Sequence, residues 1–395
     1  MHLDAISSQH YLQNPTANLE LADFLRNISI PGQMNLKLDR HQDFFSAYKI
    51  QSDHFRAYSL KDDQKKIQAI AGFVYRQAQI YGRIIQISTA TDLFVNPDRR
   101  ARVEWSKQFI PVLQKETQNI ETECVFAYIN LSNLSTANTL IRPRAINNAF
   151  KRTHPRYYLY RNFQLVSLHG YYPWTPRPVS SIRIREGHEN FLKPLIKFLV
   201  HRSKFRPFSS IWDDKSFFEK MNRLPGFKLS DFLIAFNSQD EIIGCLAPWS
   251  PRSVQDFIPL SYSLRAHNFR QFLKFLWLFG LTRRLSKPSH SAKVSLGLAP
   301  EIENPLNFQF LTNVFADNED IFASLLYSAY EKAGPDSFLL YAHNNQDYRL
   351  RPPLHWISSS TPYALYSITP PEIEPPTFLY PSIHQNPEIE AYRMF

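Results

Sequence analysis

The chain has 395 residues, 44% hydrophobic and 20% charged, with 31 Phe, 20 Tyr and 6 Trp; this excludes a disordered chain and leaves room for two domains with cores of their own. The net charge of +10 would suit nucleic acid, an anionic cofactor or simple solubility, but the basic residues are dispersed and form no zinc-finger, homeodomain or RNP pattern, which makes nucleic acid unlikely. Met1 to Leu12 is polar, the apolar run Phe272 to Leu281 is too short to span a bilayer, and Cys124 and Cys245 lack metal-ligand spacing; the sequence predicts a cytoplasmic protein with no membrane partner, no metal and two buried free thiols.

Residues 1–33 read as a loose arm carrying one short helix, Ala17 to Arg26, ended by Ile30-Pro31-Gly32. A first strand is predicted over Met34 to Leu38, and a helix over Asp39 to Tyr48 whose Phe44, Phe45 and Tyr48 face inward. His54 to Leu60, Ile67 to Gln79 and Arg83 to Val95 are strand-like, with turn signals between them, and predict an antiparallel meander. Asn96-Pro97-Asp98 then turns the chain into a helix reaching about Glu116, on which Val103, Phe109, Ile110 and Leu113 recur at helical spacing. A strand running into a helix through a basic turn (Arg99, Arg100, Arg102) aims backbone N–H groups and the positive end of the helix dipole at one point, which suits a phosphate or pyrophosphate. Glu123 to Ile129 is the next strand, parallel to the last.

The segment from Asp92 to Arg102, Asp-Leu-Phe-Val-Asn-Pro-Asp-Arg-Arg-Ala-Arg, resembles the acetyl-CoA-binding strand–loop–helix of the GNAT acyltransferase superfamily, where V-x-P-x-x-R-G-x-G-x-G/A is usual. Val95, Pro97 and Arg100 match; Ala101, Val103 and Trp105 stand where the family commonly has small residues, mostly glycine. Asn133 to Ile141 resembles the family's N-x-x-A-x-x-L-Y helix with a one-residue slip, placing Ile141 or Leu140 where many members carry a tyrosine proton donor. The resemblance implies acyl transfer from acetyl-CoA to an amine, borne by a small molecule or a protein, through direct attack. It assigns cofactor contact to Leu93, Phe94, Val95, Arg100, Ala101, Arg102, Val103, Glu104 and Trp105, and implies a strand bulge near Leu93 to Val95 that offers an N–H to the thioester carbonyl. Asp92 is the candidate general base; the alternative is a strand-end carboxylate satisfied by backbone N–H groups.

Arg156 to Arg161 and Phe163 to His169 read as an aromatic hairpin, and Tyr171 to Pro178 as a Pro-stiffened linker. The order of elements then restarts. Ile182 to Arg185 is a strand, Glu189 to Arg202 and Lys215 to Arg223 are helices, and Asp231 to Phe236 pairs with Glu241 to Ala247. After a helix from Phe269 to Arg283, Phe308 to Phe315 is a strand feeding the helix Glu319 to Ala333, and Ser337 to His343, Leu354 to Ser358 and Pro362 to Ile368 complete the set. Aligned on the repeat, Phe310 to Phe315 answers to Asp92 to Asn96, but the second turn carries Asp317, Glu319 and Asp320 and would repel a diphosphate.

The predicted fold class is α/β, in the α+β sense: two GNAT-like lobes in tandem, each a mixed, mostly antiparallel sheet flanked by helices. Boundaries fall at 1–33 (arm), 34–170 (first lobe), 171–180 (linker), 181–376 (second, degenerate lobe) and 377–395 (tail). The functional expectation is an acetyl-CoA-dependent N-acyltransferase. The alternative is a non-catalytic protein of the same fold that uses the cleft between lobes for a partner or an anionic ligand.

Overall fold

The computed structural model describes residues 1–118, 122–133, 155–176, 178–288, 304–371, 373–379 and 386–395. Twelve strands form one sheet. From one edge inward run β1 (His2–Ser7), β3 (His54–Lys61), β4 (Ile67–Ile80), β5 (Arg83–Val95) and β6 (Cys124–Asn130); from the other edge run β8 (Arg183–Glu186), β9 (Leu233–Phe236), β10 (Ile242–Trp249), β12 (Phe308–Ala316) and β13 (Phe338–Asn344). The two series correspond strand for strand. Each holds one parallel pair, Ile87–Ala90 beside Cys124–Ala127 and Phe308–Phe310 beside Phe338–Leu340, while the other neighbours in the sheet are antiparallel. Each series is the mixed, mostly antiparallel arrangement the sequence predicts, but the two are parts of one continuous sheet and not two sheets.

The centre departs from that expectation. The predicted hairpin over 156–169 is one continuous strand, β7 (Arg156–Tyr171), and the two strands predicted after 354 are likewise one, β14 (Trp356–Thr369). They pair along their whole length, from Trp356 opposite Tyr171 to Thr369 opposite Arg156. β14 also pairs with β6 of the first half and β7 with β13 of the second, so each half closes on the other's last strand. Two separate sheets would leave two long apolar edges; the exchange removes both.

Three more expectations are corrected at the first half's edge. The arm opens with β1, the counterpart of β8, paired on β3. Met34–Asp39, expected in the sheet, is β2 of a separate two-stranded sheet whose partner is β11 (Asp256–Tyr262) from the other half. The predicted helix over 39–48 shrinks to α2 (Ser46–Lys49), although Phe44, Phe45 and Tyr48 are fully buried as the pattern requires. α1 (Pro15–Arg26) is capped by the Asn14 side chain on Ala17 N–H at 3.1 Å.

α3 (Arg99–Gln118) covers one face of the first half, packing Trp105, Phe109, Val112 and Leu113 on Ala90 and Val125. After α4 (Glu189–Ser203), α5 (Asp214–Arg223) and α6 (Leu264–Trp277), α7 (Glu319–Lys332) covers the same face of the second half through Phe322, Leu325 and Leu326. The opposite face carries one core shared by both halves, to which the C-terminal Tyr392 and Met394 belong. Cys124 and Cys245 are free and buried as predicted, and burial pushes both thiols up to about 12.

Candidate functional site

β5 and β6 run together only as far as Ala90 and Ala127. Beyond that point the ladder with β6 ends, and β5 breaks register with β4 as well: Gly72 faces Thr91 and Ile70 faces Phe94, leaving Asp92 and Leu93 opposite the single residue Ala71. This is a β-bulge, one residue ahead of the position the resemblance implied. Its first residue, Asp92, has φ +51°, a left-handed conformation that Asp and Asn tolerate better than other side chains because they can hydrogen-bond locally.

Asp92 is buried and fully engaged. Its Oδ2 accepts from Arg40 Nη1 at 2.6 Å and from the Tyr48 hydroxyl at 2.7 Å, and its Oδ1 accepts from Arg40 Nη2 at 3.0 Å. Arg40 has side-chain exposure of 0%, donates its Nε to Gln255 Oε1 at 2.6 Å and lies against the rings of Phe44 and Tyr48. Burial works against its charge, but Asp92 and Tyr48 outweigh this and the guanidinium pKa lies above its ordinary value. Burial, reinforced by the Asp92 charge, raises the Tyr48 phenol well above its own. Gly72 makes the arrangement possible: a Cβ there would fall 1.9 Å from the Tyr48 hydroxyl.

The remaining predicted residues divide between surface and core. Leu93 and Val95 lean on the core beneath α3 and Phe94 on the opposite core, as alternation along a strand dictates. At the turn, Asp98 accepts from Ala101 N–H at 3.1 Å and caps α3. Arg100 and Arg102 are exposed, Arg100 pairing with Asp63 at 3.1 Å. Ala101 and Trp105 are buried against the sheet, whereas Val103 is exposed and Glu104 pairs with Lys107 at 2.8 Å. The structure therefore gathers the strand residues at the bulge and the arginines at the helix start, and turns Ala101 and Trp105 into core. The helix expected from Asn133 to Ile141, with its Leu140 or Ile141, lies outside the described residues.

The second half repeats the device. Ala247 faces Thr312 and Cys245 faces Phe315, so Asn313 and Val314 oppose Leu246, and Asn313 has φ +53°. Thr91-Asp92-Leu93-Phe94-Val95 thus matches Thr312-Asn313-Val314-Phe315-Ala316, which puts Asn313, and not Phe310, opposite Asp92 in the repeat. Lys220 Nζ donates to Asn313 Oδ1 at 2.7 Å. The Asn313 N–H donates to Glu390 Oε1 at 3.1 Å, so the bulge amide aims into the wedge between β12 and β13 and finds a carboxylate of the C-terminal segment there. That segment, Asn386 to Glu390, also walls a recess of about 30 Å³ with Arg206, Leu311 and Phe315. The second turn is acidic as the sequence predicts: Asn318 caps α7 on Ile321 N–H, and Asp317 pairs with Arg202 at 2.6 Å.

Sequence reasoning missed Arg40, Tyr48 and Gln255, which lie 52 and 44 residues before and far after Asp92. The sequence placed Tyr48 in the core without its role, and a further signal was Gly72, one of only ten glycines and placed inside a strand run, where a glycine marks a bulge or a close approach.

No family model matches the sequence, and no curated protein matches it. Among solved structures, the chain is similar to Saccharomyces cerevisiae N-myristoyltransferase with bound myristoyl-CoA and inhibitors, at TM-score 0.54 and 8% identity over 93% of this chain and 80% of that one. It is similar to the same enzyme with bound myristoyl-CoA at TM-score 0.52 and 8% identity, over 94% and 80%. A GCN5-related N-acetyltransferase from Sphaerobacter thermophilus aligns at TM-score 0.42 and 12% identity over 79% of each chain, a likeness too distant to carry weight. The likeness to N-myristoyltransferase is one of fold alone.

Proposed function

We propose that the protein is an acyl-CoA-dependent N-acyltransferase. The observation that carries this is the wedge between β5 and β6, with a bulge at Asp92–Leu93 on one side and a basic strand–turn–helix at its mouth. The bulge amide stands where a thioester carbonyl would be polarised, and Glu390 on the equivalent Asn313 amide indicates the kind of oxygen to which such an N–H donates. Leu93, Phe94 and Val95 would flank the pantetheine arm, and Arg100, Arg102 and the start of α3 the diphosphate. Because Arg40 and Tyr48 hold both oxygens of Asp92, its role in this proposal is to fix the bulge rather than to take a proton. The amine nitrogen bonds to the carbonyl carbon, the C–S bond breaks, and the proton shed by nitrogen is matched by protonation of the leaving thiolate. Residues 34–170 act as the catalytic lobe and 181–376 as its degenerate partner. Two buried free thiols favour a reducing, cytoplasmic setting.

A second reading, a non-catalytic protein of this fold, draws on one observation: carboxylates already occupy the turn, Asp98 on the Ala101 amide and Asp63 on Arg100. Titration calorimetry with acetyl-CoA and with myristoyl-CoA separates the two. Saturable binding of either supports the enzyme, and the tighter ligand identifies the acyl length. No binding up to millimolar concentration removes the enzyme reading.

A further inference from the structure

The apolar run Phe272 to Leu281, too short to cross a bilayer, lies on the surface. α6 buries Leu273 and Leu276 against Ile357, and its end is tied to the central sheet by the bridge between Thr282 and Gly170. Gly170 has no room for a side chain, since a Cβ would meet Leu281 O at 2.0 Å. The helix is therefore held firmly, with its core-facing side already satisfied. Its outer side is nonetheless apolar: Phe275, Leu278 and Phe279 are 58%, 67% and 63% exposed, and Phe272 is exposed beside them. A solvated helix face is normally polar, and a contiguous exposed apolar patch marks an interaction surface.

Charge says what covers it. Between Asp256 and Glu301 the sequence has no acidic residue, while Arg265, Lys274, Arg284 and Lys287 on the same stretch are exposed. None of these four forms an ion pair among the described residues. Trp174, stacked on Tyr172 at 4.8 Å, is joined through Tyr172 to the cluster beneath α6. Exposed aromatic and leucine side chains on a stretch of sequence that carries basic residues outside any ion pair and no acidic one match the boundary between headgroups and acyl chains of an anionic bilayer.

We propose that the outer face of α6 and the turn after it dock the protein on an anionic membrane surface, without crossing it. Sedimentation of the full chain with vesicles tests this. It should bind phosphatidylcholine vesicles containing phosphatidylserine, bind pure phosphatidylcholine far more weakly, and release as salt rises. Phe275→Ser with Phe279→Ser, both exposed positions, should abolish binding with the melting temperature unchanged. Lys274→Gln with Lys287→Gln should weaken it about 25-fold, from roughly fivefold per basic side chain. No binding to mixed vesicles, equal binding by the serine variant, or a dimer that buries the patch in place of vesicle binding would each overturn the proposal.

Discussion

At the scale of single residues, Arg40 and Asp92 form a buried ion pair that is costly to break. Removing one partner leaves an uncompensated charge in the core, an expense of about 3–5 kcal/mol. Arg40→Met should therefore unfold at much lower denaturant concentration. Adding Asp92→Asn should restore most of the loss, because Asn removes the charge, tolerates the left-handed backbone and still accepts from Tyr48, as Asn313 does from Lys220 in the second half. A double variant no more stable than Arg40→Met would show that the charge was not the issue. His169 makes a different prediction. Burial lowers its imidazole from 6.5 to about 3, and its ring lies against Phe338 with Nε2 2.9 Å from Ser167 Oγ. Between those pH values the unfolded chain binds a proton that the folded chain refuses, so stability falls as pH falls below 6.5, by up to about 1.4 kcal/mol per unit. Burial also lowers His343, which adds in the same sense. Unfolding curves from pH 7 to 5 should show a shallower slope for His169→Gln than for the parent; an identical slope would mean that the imidazole is protonated in place.

Elements are legible in proportion to how local their causes are. The meander β3–β4–β5, the helices α3 and α7 and the parallel partners β6 and β13 follow from patterns within a dozen residues, and they stand where those patterns place them. β2 is a strand as its sequence predicts but belongs to another sheet, because its partner β11 lies more than two hundred residues away and no local signal names it. α2 is shorter than its pattern because an aromatic triad at helical spacing can be buried by an irregular turn just as well. The turn before α3 is where element chemistry and function meet. If it holds a diphosphate, Arg100→Glu with Arg102→Glu should weaken CoA binding by about a hundredfold, from roughly 1.5 kcal/mol for each charge-assisted hydrogen bond removed. Asp317→Asn with Asp320→Asn in the second turn should leave binding unchanged, since Asp317 is engaged by Arg202 and that wedge holds the C-terminal segment. Tighter binding in the second variant, whose net charge rises by two, alongside the loss in the first would indicate a response to net charge and not a site.

For the whole molecule, the repeat is legible in the order of elements but the exchange of β7 and β14 is not, since a strand's period states that it pairs and never with which half. Nor does composition show that residues 386–395 are core. Tyr392 packs on Trp249 with ring centroids 6.0 Å apart, and Phe395 lies against Phe257 and Phe310. Glu388 accepts from Ser210 Oγ at 3.0 Å, while Glu390 satisfies the Asn313 amide and pairs with Lys220 at 3.4 Å. Arg393 donates to Ser210 Oγ at 3.0 Å and is held in its charged form, against the effect of burial, by Tyr392, Glu388 and Glu390. The segment therefore fills the second wedge and places carboxylates beside Lys220 and the buried Arg393. Burying large apolar side chains stabilises by about 1.5–3 kcal/mol each, and an abandoned buried amide costs about 1–3 kcal/mol more. A chain stopped after residue 385 should consequently lose at least about 5 kcal/mol, a large share of the 5–15 kcal/mol typical of a folded domain. Equilibrium unfolding in urea measures it. If the shortened chain kept its midpoint, the second wedge would be stable when empty, and the asymmetry between the halves would have to originate in the strands themselves.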